Sequence, residues 1–295
     1  MLRGRTDRIV GAAHGPGKQD RDLKSYPPLA KVRAFIREKE FGKMKRFTIR
    51  QGNNMPVQSP LIPDPFVPYQ CKNNKILSVV CRGDRRVIDR WLKPTPFESV
   101  DDRYIVSVAD FSNCDKASYM DAAIVLPIKF RNKFGGYYFF EYENNDSAIA
   151  AGRDLWGYPK KYAAITLEQH GKKVVGKAVR NGVTIMDISC DLAKSMDGVP
   201  SLKLTPHLNM HVQLRPDGPG MISMRIIERD TSPDYKLKSQ KFGSGRVTLR
   251  SIPSDPLAEF QPKEILGATY IVGDFYATEK NGWGKTIATF KPKRR

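Results

Sequence analysis

Two adjacent lysines, Lys160 and Lys161, close the segment 143–162, ENNDSAIAAGRDLWGYPKKY. A lysine amine attacks a carbonyl carbon and forms a Schiff base, provided the amine is neutral. A free lysine has a pKa of about 10.4, so at pH 7 only about one molecule in 2,500 is neutral. Desolvating the ammonium and placing a second cation nearby both favour the neutral form. Trp156, Tyr158 and Pro159 offer apolar walls, and Lys161 offers the neighbouring charge. The segment therefore predicts Lys160 as an amine nucleophile, Lys161 as the residue that tunes its pKa, and Trp156 and Tyr158 as substrate-contacting walls. Making Lys160 half neutral near pH 7 costs roughly 4–5 kcal/mol against the protonated form. Neighbouring residues on a strand point to opposite faces, so Lys161 acts at a distance and desolvation carries most of the shift.

The elements that must position this pair are mostly strands. A helix is predicted over 146–155, capped by Asn144-Asn145-Asp146 and stopped by Gly157-Tyr158-Pro159. A second short helix is predicted over 84–92, ended by Lys93-Pro94-Thr95-Pro96. Alternating or β-branched runs predict strands over 75–82, 103–109, 122–130, 137–142, 162–170, 173–180, 183–190, 209–214, 221–230, 246–251 and 264–277. Asn181-Gly182 marks a tight hairpin turn, and Gly135-Gly136 is read as the turn of another hairpin. The pattern is mainly β within an α+β class, antiparallel, and favours a barrel or sandwich over a doubly wound sheet. Gly243-Ser244-Gly245 lies in a polar stretch and lacks the lysine spacing of a phosphate loop.

The run from Ala148 through Gly152-Arg153-Asp154-Leu155-Trp156-Gly157-Tyr158-Pro159 to Lys160-Lys161 resembles the acetoacetate decarboxylase family, whose motif reads A-x-A-x-G-R-E-L-x-x-Y-P-K-K. The resemblance extends loosely from Pro56 to Phe275, with Pro68-Tyr69, the stretch from Tyr119 to Pro127, and Gly273-Asp274-Phe275. It implies a cone-like antiparallel β-barrel or sheet core with a few short helices, a homo-oligomer, and neither metal nor organic cofactor. It also implies a keto acid substrate, with Lys160 forming the imine and Lys161 tuning it. Three positions depart from the family pattern. Asp121 stands where the family has a glutamate and is a candidate acid/base group. Asn74 stands where the family has an arginine and is a candidate substrate contact. The strand around Ile105–Ser107 holds no acid where the family has a second glutamate. Losing an arginine removes a carboxylate-pairing charge. These departures bear on the identity of the substrate more than on the lysine. Arg153 and Asp154 also fit an ion pair at the helix end, and Tyr270 and Tyr276 are read as structural tyrosines or proton donors.

The 295 residues suffice for one large domain and a sizeable core. No apolar run approaches membrane-spanning length, so the expectation is a cytoplasmic protein with no membrane partner. The net charge of +19 is concentrated at the ends. Residues 1–46 hold 13 Lys/Arg against 5 Asp/Glu, and the last five residues carry four positive charges. Residues 1–50 are read as a basic extension with an amphipathic helix from about Leu29 to Phe41, 51–290 as the main domain, and 291–295 as a basic tail. Such ends bind polyanions or serve as solvated tails, and the solvated reading is preferred. The four cysteines, Cys71, Cys81, Cys114 and Cys190, show no ligand spacing and are expected to be reduced and buried.

Two enzymatic readings follow. The first is decarboxylation of a β-keto acid, acetoacetate or a homologue, through a lysine imine and an enamine. The second keeps the imine in an aldolase-dehydratase acting on pyruvate-type carbonyls. A non-enzymatic basic protein that binds nucleic acid or an acidic partner through its ends ranks below both, because no surface-type clusters of aromatics interleave with Lys and Arg.

Overall fold

The computed structural model describes residues 54–56 and 59–291. The basic N-terminal extension, its helix and the 292–295 part of the tail lie outside the described residues. The chain runs through β1 (Tyr69–Arg82), α1 (Arg85–Leu92), β2 (Glu98–Ser99), β3 (Arg103–Phe111), β4 (Tyr119–Phe130), β5 (Lys133–Glu143), α2 (Asp146–Trp156), β6 (Lys160–Tyr162), β7 (Ala164–His170), β8 (Lys173–Arg180), β9 (Val183–Asp191), β10 (His207–Leu214), β11 (Met221–Arg229), β12 (Lys236–Leu249), β13 (Glu264–Ala277) and β14 (Lys285–Phe290). One sheet takes all the strands. Its order is β14-β11-β10-β5-β4-β3-β1-β13-β12-β9-β8-β7, with β2 added to β4 and β6 to β5.

The sheet is mainly antiparallel and is not closed, consistent with a cone-like core. Two pairings are parallel, β5 with β10 and β5 with β6. A parallel neighbour needs a crossover rather than a hairpin, and α2 is that crossover between β5 and β6. Its start is fixed by Asn145, whose side chain accepts from the backbone N–H of Ala148 at 3.0 Å. Its end is fixed by Gly157 in the left-handed region, with φ of 73°.

Sheet curvature folds the β7–β9 arm over β1 and β3. Leu77, Val79, Val106, Val108, Ile124 and Leu126 meet Ile165, Val174, Ile185 and Ile188 in the main core. Gly176 permits this approach, because a Cβ there would lie 2.7 Å from Cβ of Val108. A second cluster surrounds α2 and includes Phe66, Tyr69, Ala148, Ala151, Trp156, Tyr158 and Ile227.

Both helices and the Asn181-Gly182 turn agree with the sequence reading, the turn with positive φ at both residues (51° and 76°). The hairpin of β4 and β5 turns instead at Arg131-Asn132, with Arg131 at φ 57°. Gly135 and Gly136 lie inside β5, where a Cβ would collide with the carbonyl oxygens of Pro206 and Leu204. Close backbone approach, not a turn, requires them. Strand β12 reaches ten residues further toward the N-terminus than expected and takes in Gly243-Ser244-Gly245, while β14 was not anticipated.

Two of the cysteines also depart from expectation. Cys71 and Cys114 face each other across an isolated antiparallel bridge and form a disulfide, whereas Cys81 and Cys190 are free and buried. Backbone bonds from Lys72 N–H to Asn113 O (3.0 Å) and from Asp115 N–H to Gln70 O (3.1 Å) flank the bridge. Together they tie the β3–β4 connection to β1. No helix among the described residues is long and apolar enough to cross a membrane.

Candidate active site

Lys160 enters the sheet at the first residue of β6, opposite Glu141 of β5. On β5, Glu141 and Glu143 are two residues apart and so share a face. On β4, Asp121 stands directly opposite Glu143. Three carboxyl groups from two strands therefore converge on one amine. Lys160 Nζ donates to Oε1 of Glu143 and lies 3.6 Å from Oε1 of Glu141. The rings of Tyr158 and Tyr119 flank it, with centroids 5.3 and 5.5 Å from Nζ. Two supports fix the lysine's backbone and stem. Arg153 donates to its carbonyl oxygen at 3.0 Å, and Gly152 leaves the space that Cδ and Cε occupy.

The electrostatics differ from the expectation of a simply depressed amine. Burial disfavours the ammonium, but the charges of Glu143, Glu141 and Asp121 outweigh it and hold Lys160 above its ordinary value. The carboxyl groups are displaced in turn. Burial pushes Asp121 up to about 6 against the pull of Lys160. It pushes Glu143 up to about 7, again opposed by Lys160. Glu141 is raised as well, by burial first and by the charges of Asp121 and Glu143, and it shares a hydrogen bond with Asp121. A raised carboxyl beside a lysine is a proton acceptor near neutral pH. Oε2 of Glu141 and Oε2 of Glu143 are buried without a protein partner. One oxygen from each of Asp121, Glu141 and Glu143 lies within 4.8 Å of the others, a spacing that would suit a cation. The lysine ammonium takes that place.

The cavity beside this cluster has a volume of about 80 Å³ and is lined by Asp121, Glu141, Tyr158, Lys160 and Trp156 among others. It also receives His207 at the start of β10 and Arg229 at the end of β11, which the sheet order brings to the β5 side. The Tyr158 hydroxyl and Nδ1 of His207 are 2.7 Å apart. Burial and the Arg229 charge drive His207 down to about 4, so its ring is neutral. The Cζ of Arg229 sits over the Trp156 ring, 3.9 Å from its centroid.

Of the sequence candidates, Lys160, Asp121, Trp156 and Tyr158 come together here. Lys161 goes elsewhere. It pairs with Tyr142 in the β5–β6 register, on the other face, and its Nζ lies 2.6 Å from Asp255. Asp255 also binds Arg180 at 3.0 Å and the Tyr142 hydroxyl at 2.8 Å; hydrogen bonds from Lys161, Ser254 and Tyr142 and the Lys161 charge hold it down to about 2 despite its burial. Lys161 is thus engaged in a structural network outside the cavity. Asn74 is buried in β1 opposite Gly273 and is not among the cavity-lining residues. Tyr270 belongs to the main core, and Tyr276 accepts from Lys72 at 2.7 Å. Arg153 serves Lys160 rather than Asp154.

Sequence reasoning missed Glu141, Glu143, His207 and Arg229 as site residues. The strand around Ile105–Ser107 holds no acid, while β5 brings two to the lysine. Two acids spaced by two in the apolar run YYFFEYE were the available signal for Glu141 and Glu143. His207 and Arg229 carried none, because only the sheet order brings them in.

Residues 54–284 match the model of the family described as acetoacetate decarboxylase (ADC). The chain is similar to acetoacetate decarboxylase 2 of Mesorhizobium japonicum, 28% identical over 246 residues that cover 81% of this chain and 90% of that protein. Its fold is similar to an acetoacetate decarboxylase structure at TM-score 0.72 and 21% identity, covering 84% of this chain and 99% of that one. It is also similar to the enduracididine biosynthesis enzyme MppR, solved with the condensation product of pyruvate and imidazole 4-carboxaldehyde. That likeness has TM-score 0.65 and 18% identity and covers 80% and 96% of the two chains. With well over half of its length matched by one family model, the chain belongs to the acetoacetate decarboxylase family.

Proposed function

We propose that the protein is a lyase acting on a small keto acid through a Schiff base at Lys160, with decarboxylation of a β-keto acid as the leading reaction. The observation that carries this reading is the placement of one buried amine against three buried carboxyl groups whose proton affinities are all raised, Asp121 to about 6 and Glu143 to about 7. Glu143 accepts the ammonium proton of Lys160, and the free amine adds to the substrate carbonyl. The carbinolamine oxygen leaves as water with a proton from the carboxyl cluster, giving a protonated imine. The C–C bond to the carboxylate then breaks. Its electron pair moves into the imine to form an enamine, and CO2 departs. A carboxyl group returns a proton to the enamine carbon, and water hydrolyses the imine to release the ketone and Lys160. The net change is one keto acid anion and one proton converted to a ketone and CO2.

The acid pair Asp121 and Glu141 suits the proton steps, because a hydrogen-bonded pair of buried carboxyls holds one proton to donate. Asp121 is thereby read as an acid/base group, and Tyr158 and Trp156 as walls of the substrate site.

A second reading keeps the imine but retains the carboxylate, as in condensation or dehydration of a pyruvate-type substrate. It is favoured by Arg229, a cation positioned to hold a carboxylate, and by the bound condensation product named for MppR. Borohydride reduction in the presence of β-keto and α-keto acids, read by mass spectrometry on the peptide holding Lys160, tests both. A reduced adduct on Lys160 is expected. CO2 release assigns decarboxylation, and condensation products without gas assign the second reading. Absence of any adduct at Lys160 would refute imine chemistry altogether.

A further inference from the structure

Arg229 is a buried guanidinium with no carboxylate partner among the described residues. It is 6% exposed, and none of the ion pairs of the described residues includes it. Its protein partners are all neutral. Nε donates to Gly282 O at 2.7 Å, Nη2 donates to the Tyr69 hydroxyl at 2.9 Å, and Tyr158 also engages it. The Trp156 ring lies against its face. An ionised group left out of water without a counter-charge is costly, and folds keep one where an anion compensates it. A guanidinium has five N–H donors in a planar fork. Three neutral partners leave donors over, and the residue lines the same cavity as Lys160.

The cavity is therefore polarised. On one wall, Lys160 is already partnered by buried acids, with Glu143 and Glu141 beside its amine. On the other, Arg229 is held by neutral partners beside a neutral His207. A carboxylate entering this space finds its unpaired cation on the second wall. A carboxylate that must lose its charge as CO2 is held back by such a pairing, since the ion pair stabilises the ground state and not the departing neutral.

We propose that Arg229 is the carboxylate anchor of the substrate, and that the carboxylate it holds is one the reaction keeps. The substrate class that fits is a keto acid bearing a carboxylate besides any that leaves: a β-keto diacid if the enzyme decarboxylates, a pyruvate-type acid if it condenses. This rests on the keto acid reading above. Arg229 thus takes the role that the sequence resemblance gave to the position of Asn74, from a different strand.

The test separates the anchor from the imine. Binding of propionate and of its neutral amide, propionamide, is measured by calorimetry on the full chain; neither can form a Schiff base. The wild type is expected to bind propionate at least about tenfold more tightly than propionamide. Arg229→Gln should bring the two within about twofold, while Arg229→Lys, which keeps the charge and loses the fork, should fall between. Should Arg229→Gln not fold, Tyr69→Phe, which frees one side of the fork, should reduce the preference in the same direction. Equal binding of the two probes by the wild type, or an unchanged preference in folded Arg229→Gln, overturns the anchor. For the retained carboxylate, 3-oxoglutarate should compete with propionate at least about tenfold better than acetoacetate does in the wild type, and equally in Arg229→Gln. Acetoacetate competing as well as 3-oxoglutarate in the wild type overturns that part. A carboxylate preference without any borohydride adduct at Lys160 would leave the anchor standing and remove the imine reading.

Discussion

Lys160 and Glu143 form a buried ion pair in which the acid has no exposed surface and the amine side chain is 10% exposed. The two groups compete for one proton. Burial pushes Glu143 up to about 7, and the carboxyl cluster holds Lys160 up as an ammonium. Replacing Glu143 by Gln removes the nearest acceptor of that proton. Turnover of a keto acid should fall by about 100-fold in Glu143→Gln, a typical contribution of a positioned base. In Lys160→Met the borohydride adduct should be lost altogether. Mass spectrometry and steady-state kinetics on the same preparations check both.

The same cluster sets a dependence of stability on pH. Glu143, raised to about 7, holds a proton in the folded chain over a range where the unfolded chain has released it near its ordinary 4.5. Between pH 6 and 8 the folded state therefore binds more protons, and stability falls as pH rises. His207 acts in the opposite sense, being neutral when folded down to about 4, but only below its ordinary 6.5. Thermal unfolding at pH 6.5 and 8 should show the wild type losing at least about 2 °C more than Glu143→Gln. An equal loss in the two proteins would contradict the assigned proton affinity of Glu143.

Gly152 is the residue whose missing side chain makes room for the lysine. A Cβ there would collide with Cδ and Cε of Lys160, and α2 itself tolerates alanine well. Gly152→Ala should keep its circular dichroism spectrum and lose about 100-fold in kcat/KM, the scale of a displacement of about 1 Å at a reacting group. Full activity in this variant would show that the stem of Lys160 has another path to the cavity.

Lys161 and Asp255 carry a separate prediction. Asp255 is fully buried among Lys161, Arg180 and Tyr142, so Asp255→Asn leaves two cations short of their partner. It should cost about 3 kcal/mol in chemical denaturation. Its own ionisation, held down to about 2, contributes stability above its ordinary 3.8 that is lost as pH falls toward 2. Lys161→Met should lower stability by less, because its side chain is 36% exposed. It should leave the borohydride adduct on Lys160 intact. Loss of that adduct would restore Lys161 to a direct tuning role.

Local features of the fold were legible in the sequence where a residue type has one dominant use. Asn145 as cap, Gly157 as stop and Asn181-Gly182 as turn each act within a few residues. Gly135 and Gly136 misled because glycine serves close backbone approach as well as turns, and what approaches is Pro206 and Leu204 from far along the chain. The site divides in the same way. Lys160, Trp156 and Tyr158 lie in one contiguous segment that declares itself. Arg229 touches Tyr69 across a separation of 160 residues, a contact that exists only after β11 is placed in the sheet. Strand alternation gives the direction of Lys161 but not what waits on the other face, where Asp255 receives it.

The neighbouring lysines have a further consequence for how β6 finds its place. Each leads to a carboxylate, Lys160 to Glu143 and Lys161 to Asp255. If β6 slid by one residue along β5, an amine from the same dipeptide would still meet an acid. The pair is degenerate with respect to that error, so the charges cannot proofread the alignment. Discrimination falls to the flanking residues, Tyr158, which is buried, and Tyr162, which is largely exposed, together with the grip of Arg153 on the carbonyl of Lys160. The aromatic residues beside the amines, rather than the amines themselves, set which of two identical side chains faces the cavity.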